Sequence, residues 1–407
     1  MIRRKFLYLG IVFILAICLA VYLILHLKEK PVEWMPENSL HLVNTPGITD
    51  SRDVKSLVGA IDYSLTYLKE NDSQTPLVFG PNRFTFLQVI ESMEDFKGKL
   101  LEYGLTEPFF QYVSQNYNFY KSSAKEVLVT GYYEARLKGS LKKSGTYRYP
   151  LYKRPGDLVI IDLSQFSFYQ KHKGLPKILR GRLSEKRQIV PYYSREEIDS
   201  QQKLSGKGLE IVWIDNLIDL FFLQIQGSGI VQLDNGEKIH VNYEESNGHP
   251  YRAIGRLLID RGILTRENIS MQGIRHYLEN HPGEMEEIFN YNPSYVFFRE
   301  VEKGPIGFLG VPVTPYRSIA TDRRLFPRGA LCYIETELPI FEKNNNLKEL
   351  KRYKGFVLNQ DAGGAIRTPG RVDLFTGHGM ESEWVAGHMK QDGTFYFLIK
   401  KSVVSYQ

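Results

Sequence analysis

Four segments of this 407-residue chain combine glycine, polar and acidic residues in ways that the packing of a core does not require. They cover residues 130–134 (Thr-Gly-Tyr-Tyr-Glu), 226–229 (Gln-Gly-Ser-Gly), 314–322 (ending in Thr-Asp) and 360–377, which holds Gln-Asp-Ala-Gly-Gly and Arg-Val-Asp-Leu-Phe. Their carboxylates are candidates for proton transfer, and their glycines allow a ligand to approach the backbone closely. Asp and Gly are also common turn formers, so each segment alone is weak evidence for a site.

The sequence does not indicate metal, redox or nucleic-acid chemistry. Of the two cysteines, Cys18 lies in an apolar run and Cys332 in a predicted strand, which leaves no disulfide framework and no metal cluster. The histidines lack the HExxH and His-x-His spacings, which argues against a zinc hydrolase. The net charge of +6 is modest, and the basic residues are scattered, so we expect no nucleic-acid partner.

The N-terminus has the pattern of a membrane anchor. Three positive charges in residues 1–5 precede an apolar run from Phe6 to Leu27, which is long enough to span a bilayer as a helix. Basic residues before the run favour a cytoplasmic N-terminus with the rest of the chain outside. A cleaved signal peptide is one alternative. A lipoprotein signal ending at Cys18 fits less well, because Ile17 stands where a small residue is needed. The pattern favours the uncleaved anchor.

Beyond the anchor, the chain is predicted to continue with a tether and three helices. Residues 31–50, with three prolines, are typical of a tether. An amphipathic helix is predicted after Ser51, because apolar residues recur there at helical spacing. These residues are Leu57, Val58, Ile61, Leu65 and Leu68. A second helix is expected over 84–103 with Gly104 as its stop, and a third opens at Thr106, which can cap it.

The pattern then changes to short β-type runs bounded by Gly, Pro or Asp. Strands are predicted over 127–133, 157–163, 221–226, 330–337, 354–360, 371–375 and 394–400. Asp234-Asn235-Gly236 predicts a hairpin turn. Two helices are expected in the middle of the chain, over 249–261 and 270–281. This order of elements indicates an α+β fold that is mainly β, with barrel-like sheets.

Together and in this order, the four segments closely resemble the membrane-bound lytic murein transglycosylase A (MltA) family, which ends in a 3D domain named for three aspartates. The three aspartates here would be Asp322, Asp361 and Asp373. The resemblance runs from about Thr130 to Met389 and includes matching runs at 247–255 and 295–300. Three positions depart from the usual family residues without removing an ionisable group: Ala135, Ala362 and Thr376.

The resemblance implies an enzyme that cuts the glycan strands of peptidoglycan by a lytic transglycosylase reaction. In that reaction the C6 hydroxyl of the muramic acid attacks its own anomeric carbon and forms a 1,6-anhydro ring. One residue then serves first as acid and later as base, and the resemblance assigns this role to Asp373. It gives Asp361 and Asp322 supporting or orienting roles. The candidates for contact with the substrate are Thr130, Tyr132, Glu134, Gln226 and Ser228.

The resemblance also implies a fold, a partner and a location. Residues 51–134 and 290–407 would form a double-psi β-barrel domain with helices, and 135–289 would form an inserted β-rich domain. The glycan would lie in the groove between the two domains, without a metal or organic cofactor. The catalytic part would lie on the periplasmic side of the cell envelope, held to the membrane by the N-terminal helix.

Two other functions remain open at the level of sequence. A glycan hydrolase on the same scaffold would need a second carboxylate across the groove, which Glu134 or Asp361 would have to supply. A wall-binding module without catalysis would need only the 3D-type barrel. The pair Asp361 and Asp373 argues against the binding module. Arg371, two residues before Asp373, can be read from the sequence as a simple surface partner.

Overall fold

The computed structural model describes residues 32–169, 175–266, 268–342 and 346–401. The chain from Pro36 to Gln407 forms one compact unit. The anchor predicted over Phe6–Leu27 lies outside the described residues. Within the described ranges no helix is both long enough and apolar enough to cross a membrane. The division into a barrel domain and an inserted domain stays a prediction.

The tether prediction is wrong for residues 36–43, which form regular structure. A short helix α1 (Pro36–Ser39) leads into strand β1 (Leu40–Val43). Strand β1 pairs antiparallel with β4 (Tyr117–Ser122), so its backbone groups join the main sheet. This pairing and the burial of Leu40, which is 2% exposed, are the physical reasons why the stretch does not remain a free linker.

Three helices follow as predicted: α2 (Val54–Lys69), α3 (Phe86–Tyr103) and α4 (Glu107–Asn116). Asp53 caps the first by accepting a hydrogen bond from the Ser56 amide, and Thr85 forms a capping box with Gln88 in the second. Gly104 ends α3 with a φ of 64°, a value that favours glycine. Thr106 occupies the N-cap position of α4 but makes no side-chain cap hydrogen bond. A two-stranded hairpin of β2 (Pro76–Phe79) and β3 (Asn82–Thr85) lies between α2 and α3.

A single 14-stranded sheet runs through the compact unit and contains strands from both its N-terminal and its C-terminal parts. Its remaining long strands are β5 (Leu128–Ser140), β11 (Ser228–Leu233), β12 (Lys238–Ser246), β13 (Val296–Val301), β15 (Leu331–Phe341), β16 (Leu347–Ala362), β17 (Arg371–His378) and β19 (Thr394–Lys400). Its short members are β6 (Tyr149–Tyr152), β10 (Glu210–Ile214), β14 (Ser318–Thr321) and β18 (Lys390–Asp392). A separate three-stranded sheet contains β7 (Val159–Asp162), β8 (Ile178–Leu183) and β9 (Ile189–Pro191).

Strand β5 is the element that passes from one half of the main sheet to the other. Its first residues pair in parallel with β17, with Thr130 opposite Asp373. Its last residues pair in parallel with β11, from Ala135 opposite Gly229 to Gly139 opposite Leu233. The segment 130–134 therefore lies where β5 exchanges one partner strand for the other.

The strand predicted over 221–226 is wrong: these residues belong to helix α6 (Leu217–Gln226). Asn216 starts the helix by accepting hydrogen bonds from two backbone amides, and Gly227 ends it with a φ of 85°. The helix is buried around most of its circumference, and most of its residues are apolar. A short apolar run of this kind cannot be distinguished from a buried strand by its period alone.

The other predicted elements of the second half are present. The turn at 234–236 joins β11 and β12 antiparallel, as predicted. The helical region contains α7 (Ile254–Asp260), α8 (Met271–Asn280) and α9 (Met285–Asn290), with α5 (Arg195–Asp199) earlier and α10 (Met380–His388) after β17. Helix α7 is shorter than the predicted 249–261: Pro250 disfavours a helical conformation at His249, and Arg252 donates its backbone amide to the Asn292 side chain. Strands predominate over helices, which confirms the prediction of a mainly-β α+β fold.

Candidate active site

Asp373 lies at the centre of a small polar network on β17 and β5. Arg371 Nε lies 2.9 Å from Asp373 Oδ1 and Arg371 Nη2 lies 3.1 Å from Oδ2, which makes a two-point ion pair. Thr130 donates its hydroxyl to Asp373 Oδ1 and lies 3.3 Å from Arg371 Nη2. The two charged side chains are 14% and 34% exposed, Asp373 being the less open. The carboxylate is thus fixed in orientation and still reachable from solvent.

Strand β14 brings Asp361 beside Asp373. Ala320 of β14 is paired with Asp361 of β16 on one side and with Asp373 of β17 on the other. Paired residues on neighbouring strands direct their side chains to the same face of a sheet, so both carboxylates lie on one face. Asp361 Oδ1 accepts hydrogen bonds from the backbone amides of Phe308 (2.9 Å) and Ala362 (2.8 Å).

The environments of the two carboxyl groups differ. Burial raises the pKa of Asp361, and the nearby charge of Asp373 raises it further, although the two amide hydrogen bonds act in the opposite direction. Asp373 instead has a guanidinium against both of its oxygens. Two carboxylates in unequal surroundings are a common arrangement in sites that move protons.

Tyr132 completes this cluster from β5. Its ring packs against Phe375, with 5.1 Å between ring centroids. Burial raises the pKa of its phenol well above the usual value, and the charges of Asp361 and Asp373 add to the effect. The phenol also interacts with the Asp361 carboxyl, and this contact favours the neutral phenol and the ionised carboxylate. The phenol therefore remains a neutral donor close to Asp361 and Asp373, which we call the acidic pair.

Glu134 lies inside the protein and not on an accessible wall. Its side chain is 2% exposed, and the imidazole of His240 lies beside it, with Nδ1 3.5 Å from Glu134 Oε1. Burial raises the pKa of Glu134, while the charge of His240 opposes the shift. Direct contact with a glycan, which the sequence suggested, would require the surrounding residues to move.

Gln226 and Ser228 lie where helix α6 ends and strand β11 begins, next to the Tyr-Tyr-Glu segment of β5. Gln226 Oε1 accepts a hydrogen bond from the Tyr133 backbone amide at 3.1 Å, which links α6 to the Tyr-Tyr-Glu segment. Ser228 starts β11, is 5% exposed and is paired with Asn242. Between them, the Gly227 carbonyl accepts a hydrogen bond from the Tyr243 amide. The segment 226–229 is therefore adjacent to the acidic cluster through β5.

Asp322 is engaged in a different way from the other two aspartates of the motif. Its side chain is 1% exposed and takes two hydrogen bonds from the Arg324 guanidinium, at 2.9 Å and 2.6 Å. Its backbone carbonyl accepts the amides of Leu325 and Phe326, which closes a turn. This arrangement is that of a residue supporting the turn after β14.

Sequence reasoning missed three side chains around the acidic pair. Arg371 was read as a surface partner, although its position two residues before Asp373 on one strand puts both on the same face. Tyr251 is 39% exposed, and partial desolvation raises the pKa of its phenol. The charge of Arg371 lowers this pKa and the charge of Asp373 raises it. Phe308 is 42% exposed and follows Gly307, so its identity alone carried no signal.

Two negative findings delimit the site. Within the described parts of the chain, no group of three or more His, Cys, Asp or Glu residues could hold a metal ion. A cavity of about 400 Å³ lies elsewhere, lined by residues that include Arg52, Tyr316, Phe341 and Trp384. None of the candidate residues lines that cavity.

Comparison with known proteins first defines the class. Residues 317–399 match the 3D domain family, and residues 128–299 match the family described as MltA specific insert domain. The class is therefore a 3D-domain protein that carries the MltA-type insert. The acidic pair lies within the first match, and Thr130, Tyr132 and Gln226 lie within the second.

Relatives are similar in sequence to this chain over most of its length. The membrane-bound lytic murein transglycosylase A of Escherichia coli (strain K12) is 32% identical over 278 residues, and that of Vibrio cholerae is 30% identical over 275. Each match covers 67% of this chain and 65% of the relative's length. The crystal structure of a membrane-bound lytic murein transglycosylase from Agrobacterium tumefaciens is 31% identical, with a TM-score of 0.73, covering 89% of this chain and 98% of that one. The chain belongs to the membrane-bound lytic murein transglycosylase A family.

A more distant structure shares the fold. The crystal structure of E. coli MltA with bound chitohexaose has a TM-score of 0.65 at 23% identity, covering 91% of this chain and 97% of that one. The agreement in fold at this low identity shows that the arrangement of strands is common to both proteins.

Proposed function

We propose that this protein is a peptidoglycan lytic transglycosylase that cleaves the β-1,4 bond between MurNAc and GlcNAc. The observation that carries the proposal is the Asp373 carboxylate, fixed by Thr130 and Arg371 yet open to solvent, beside a second carboxyl of different character. The relatives named lytic murein transglycosylase support the choice of reaction. The E. coli structure with bound chitohexaose supports a saccharide as the ligand class.

The chemistry needs one group that gives and then takes a proton. In the first half, Asp373 in its acid form protonates the leaving glycosidic oxygen as the bond to the anomeric carbon breaks. In the second half, the resulting carboxylate takes the proton from the C6 hydroxyl while O6 bonds to the anomeric carbon. The products are a free GlcNAc 4-hydroxyl and a 1,6-anhydro ring, and no water is consumed.

The neighbouring groups have positioning roles in this scheme. Thr130 and Arg371 fix the carboxylate plane and are oriented to support the charge that appears once the proton has left. Asp361 is fixed by two backbone amides, and Tyr132 faces it as a neutral donor, so both can orient sugar hydroxyls. Asp322 supports the turn after β14.

The finer features of the fold are also proposals. The parallel pairs β14–β16 and β5–β17, set among antiparallel neighbours, support a double-psi β-barrel. The change of partner along β5 supports an inserted second domain with the glycan between the two parts. The basic and apolar N-terminal sequence supports anchoring to a membrane, with the catalytic part on the periplasmic side.

The experiment is a mass analysis of fragments that the full-length protein in detergent releases from purified peptidoglycan. We expect fragments one water lighter than hydrolysis products, as anhydro ends require. Asp373→Asn should lower their rate of formation by about 10²- to 10⁴-fold, the usual contribution of a general acid–base group. The matched control is Asp322→Asn, whose carboxylate supports a turn.

Other outcomes would point elsewhere. Fragments with ordinary reducing ends would mean a hydrolase, with water as the attacking group. Intact strands from a folded protein that binds glycan would mean a wall-binding module. Equal loss of activity in the two variants would remove the special role of Asp373.

A further inference from the structure

Three arginines from separate parts of the chain lie close enough for their charges to interact: Arg180, Arg323 and Arg367. Arg180 belongs to β8, Arg323 follows β14, and Arg367 lies in the loop between β16 and β17. Partial desolvation by neighbouring residues lowers the pKa of Arg323, and repulsion from the charges of Arg180 and Arg367 lowers it further. We call these three residues the arginine cluster.

The positive charge of the cluster is only partly balanced. Arg180 Nε lies 2.7 Å from Glu245 Oε1, and Tyr243 donates its hydroxyl to the same oxygen at 3.0 Å. Arg323 and Arg367 form no ion pair with any acidic residue among those described, and both are exposed. Two of the three guanidinium groups are therefore available to an external anion.

The position of the cluster ties it to the proposed site. The Arg323 guanidinium carbon lies 4.9 Å from the centre of the Phe308 ring, and the Phe308 amide donates to Asp361 at 2.9 Å. On the other side, the Tyr243 amide donates to the carbonyl of Gly227 in the Gln-Gly-Ser-Gly segment. Phe308 thus lies between the arginine cluster and Asp361, and Tyr243 connects the cluster to the proposed sugar-contacting segment.

We propose that the arginine cluster binds the carboxylates of the stem peptide carried by muramic acid. This inference rests on the proposed function and extends its substrate from glycan alone to glycan with peptide. In a strand of alternating GlcNAc and peptide-linked MurNAc, the sugars are uncharged and the anionic groups belong to the peptide. Guanidinium groups match carboxylates in shape and charge, so an unbalanced cluster next to the glycan path has a suitable ligand there.

The test measures binding by calorimetry in the full-length Asp373→Asn protein in detergent, which removes the proposed catalytic acid. Two muropeptide tetrasaccharides are compared: one with free peptide carboxylates and one with the same carboxylates converted to amides. We expect the free form to bind about tenfold more tightly, the scale of one charge-assisted pair. Adding Arg323→Gln or Arg367→Gln should remove most of that preference and leave affinity for the amidated form nearly unchanged.

The matched control is Arg328→Gln, an exposed arginine on the same loop as Arg323. It should keep the full preference. An equal affinity for the two ligands in the parent protein, or an equal loss of affinity for both ligands in the Arg323 variant, would overturn the proposal. These readouts require no cleavage, so failure of the proposed reaction would appear separately, as unprocessed peptidoglycan with the wild-type protein.

Discussion

Two Arg–Asp pairs in this protein have the same chemical composition and opposite settings. Arg317 and Asp50 are both 0% exposed and pair through two guanidinium nitrogens. All five N–H groups of Arg317 are used, because it also donates to Phe356 O, Asp53 O and Ser56 Oγ. Arg371 and Asp373 are 34% and 14% exposed, and Arg371 Nη1 makes no hydrogen bond with the described residues.

The difference teaches how the same pair can serve structure or chemistry. A buried pair whose donors and acceptors are all satisfied has no capacity left for a ligand, and removal of one member leaves an uncompensated charge. A pair at the surface contributes little to stability but keeps a carboxylate oriented and accessible. The first arrangement ties the N-terminal stretch to the sheet, and the second suits a proton-transfer site.

The largest effect on stability is expected from Arg317→Met. The Asp50 carboxylate would remain buried without its cation, which costs about 3–5 kcal/mol in comparable buried pairs. Denaturant unfolding should show this loss as a lower midpoint with a similar slope. A loss below about 1 kcal/mol would mean that the buried pair is no more structural than a surface pair, and the contrast drawn above would fail.

A smaller effect of another kind is expected from Arg371→Gln. Its stability should change by at most about 1 kcal/mol, because the pair is partly exposed. Its rate of anhydro-fragment formation should fall by about tenfold or more, since Asp373 loses the group that orients it. The matched control is Arg324→Gln, which removes the partner of Asp322 and should leave the rate unchanged. A large loss of stability with an unchanged rate would reverse the assignment of Arg371.

Local sequence features predicted where helices and strands occur better than they predicted which elements contact one another. The helices at α2 and α3 followed from apolar spacing and from Gly104, which act within a few residues. The pairing of Asp50 with Arg317 joins positions 267 residues apart, and no local pattern contains that information. The same limit explains the tether error, since the strand over 40–43 exists only because β4 is beside it.

The site shows the same division. The sequence motif predicted Asp361 and Asp373 as site residues. Their proximity depends on the sheet order β16–β14–β17, in which neighbouring strands are not consecutive in the chain. The sequence also does not reveal that the Glu134 side chain faces inward. Glu134 lies where β5 exchanges β17 for β11 as its partner strand, and no local pattern predicts that exchange. Residue types could be predicted; the burial that sets their chemistry comes from long-range packing.

Glu134 supplies a third setting, a buried carboxyl without an ion pair to an arginine among the described residues, and should show the smallest effect. Because burial raises its pKa above the ordinary 4.5, its contribution to stability is present below that value and is lost as the pH rises through the folded-state pKa. Glu134→Gln should therefore raise the melting temperature relative to wild type at pH 8 and lose that advantage near pH 4. Calorimetry at both pH values measures this, with the exposed Glu91→Gln as control. A variant less stable than wild type at pH 8 would mean that His240 compensates the buried charge, so that the pair resembles Arg317 and Asp50 after all.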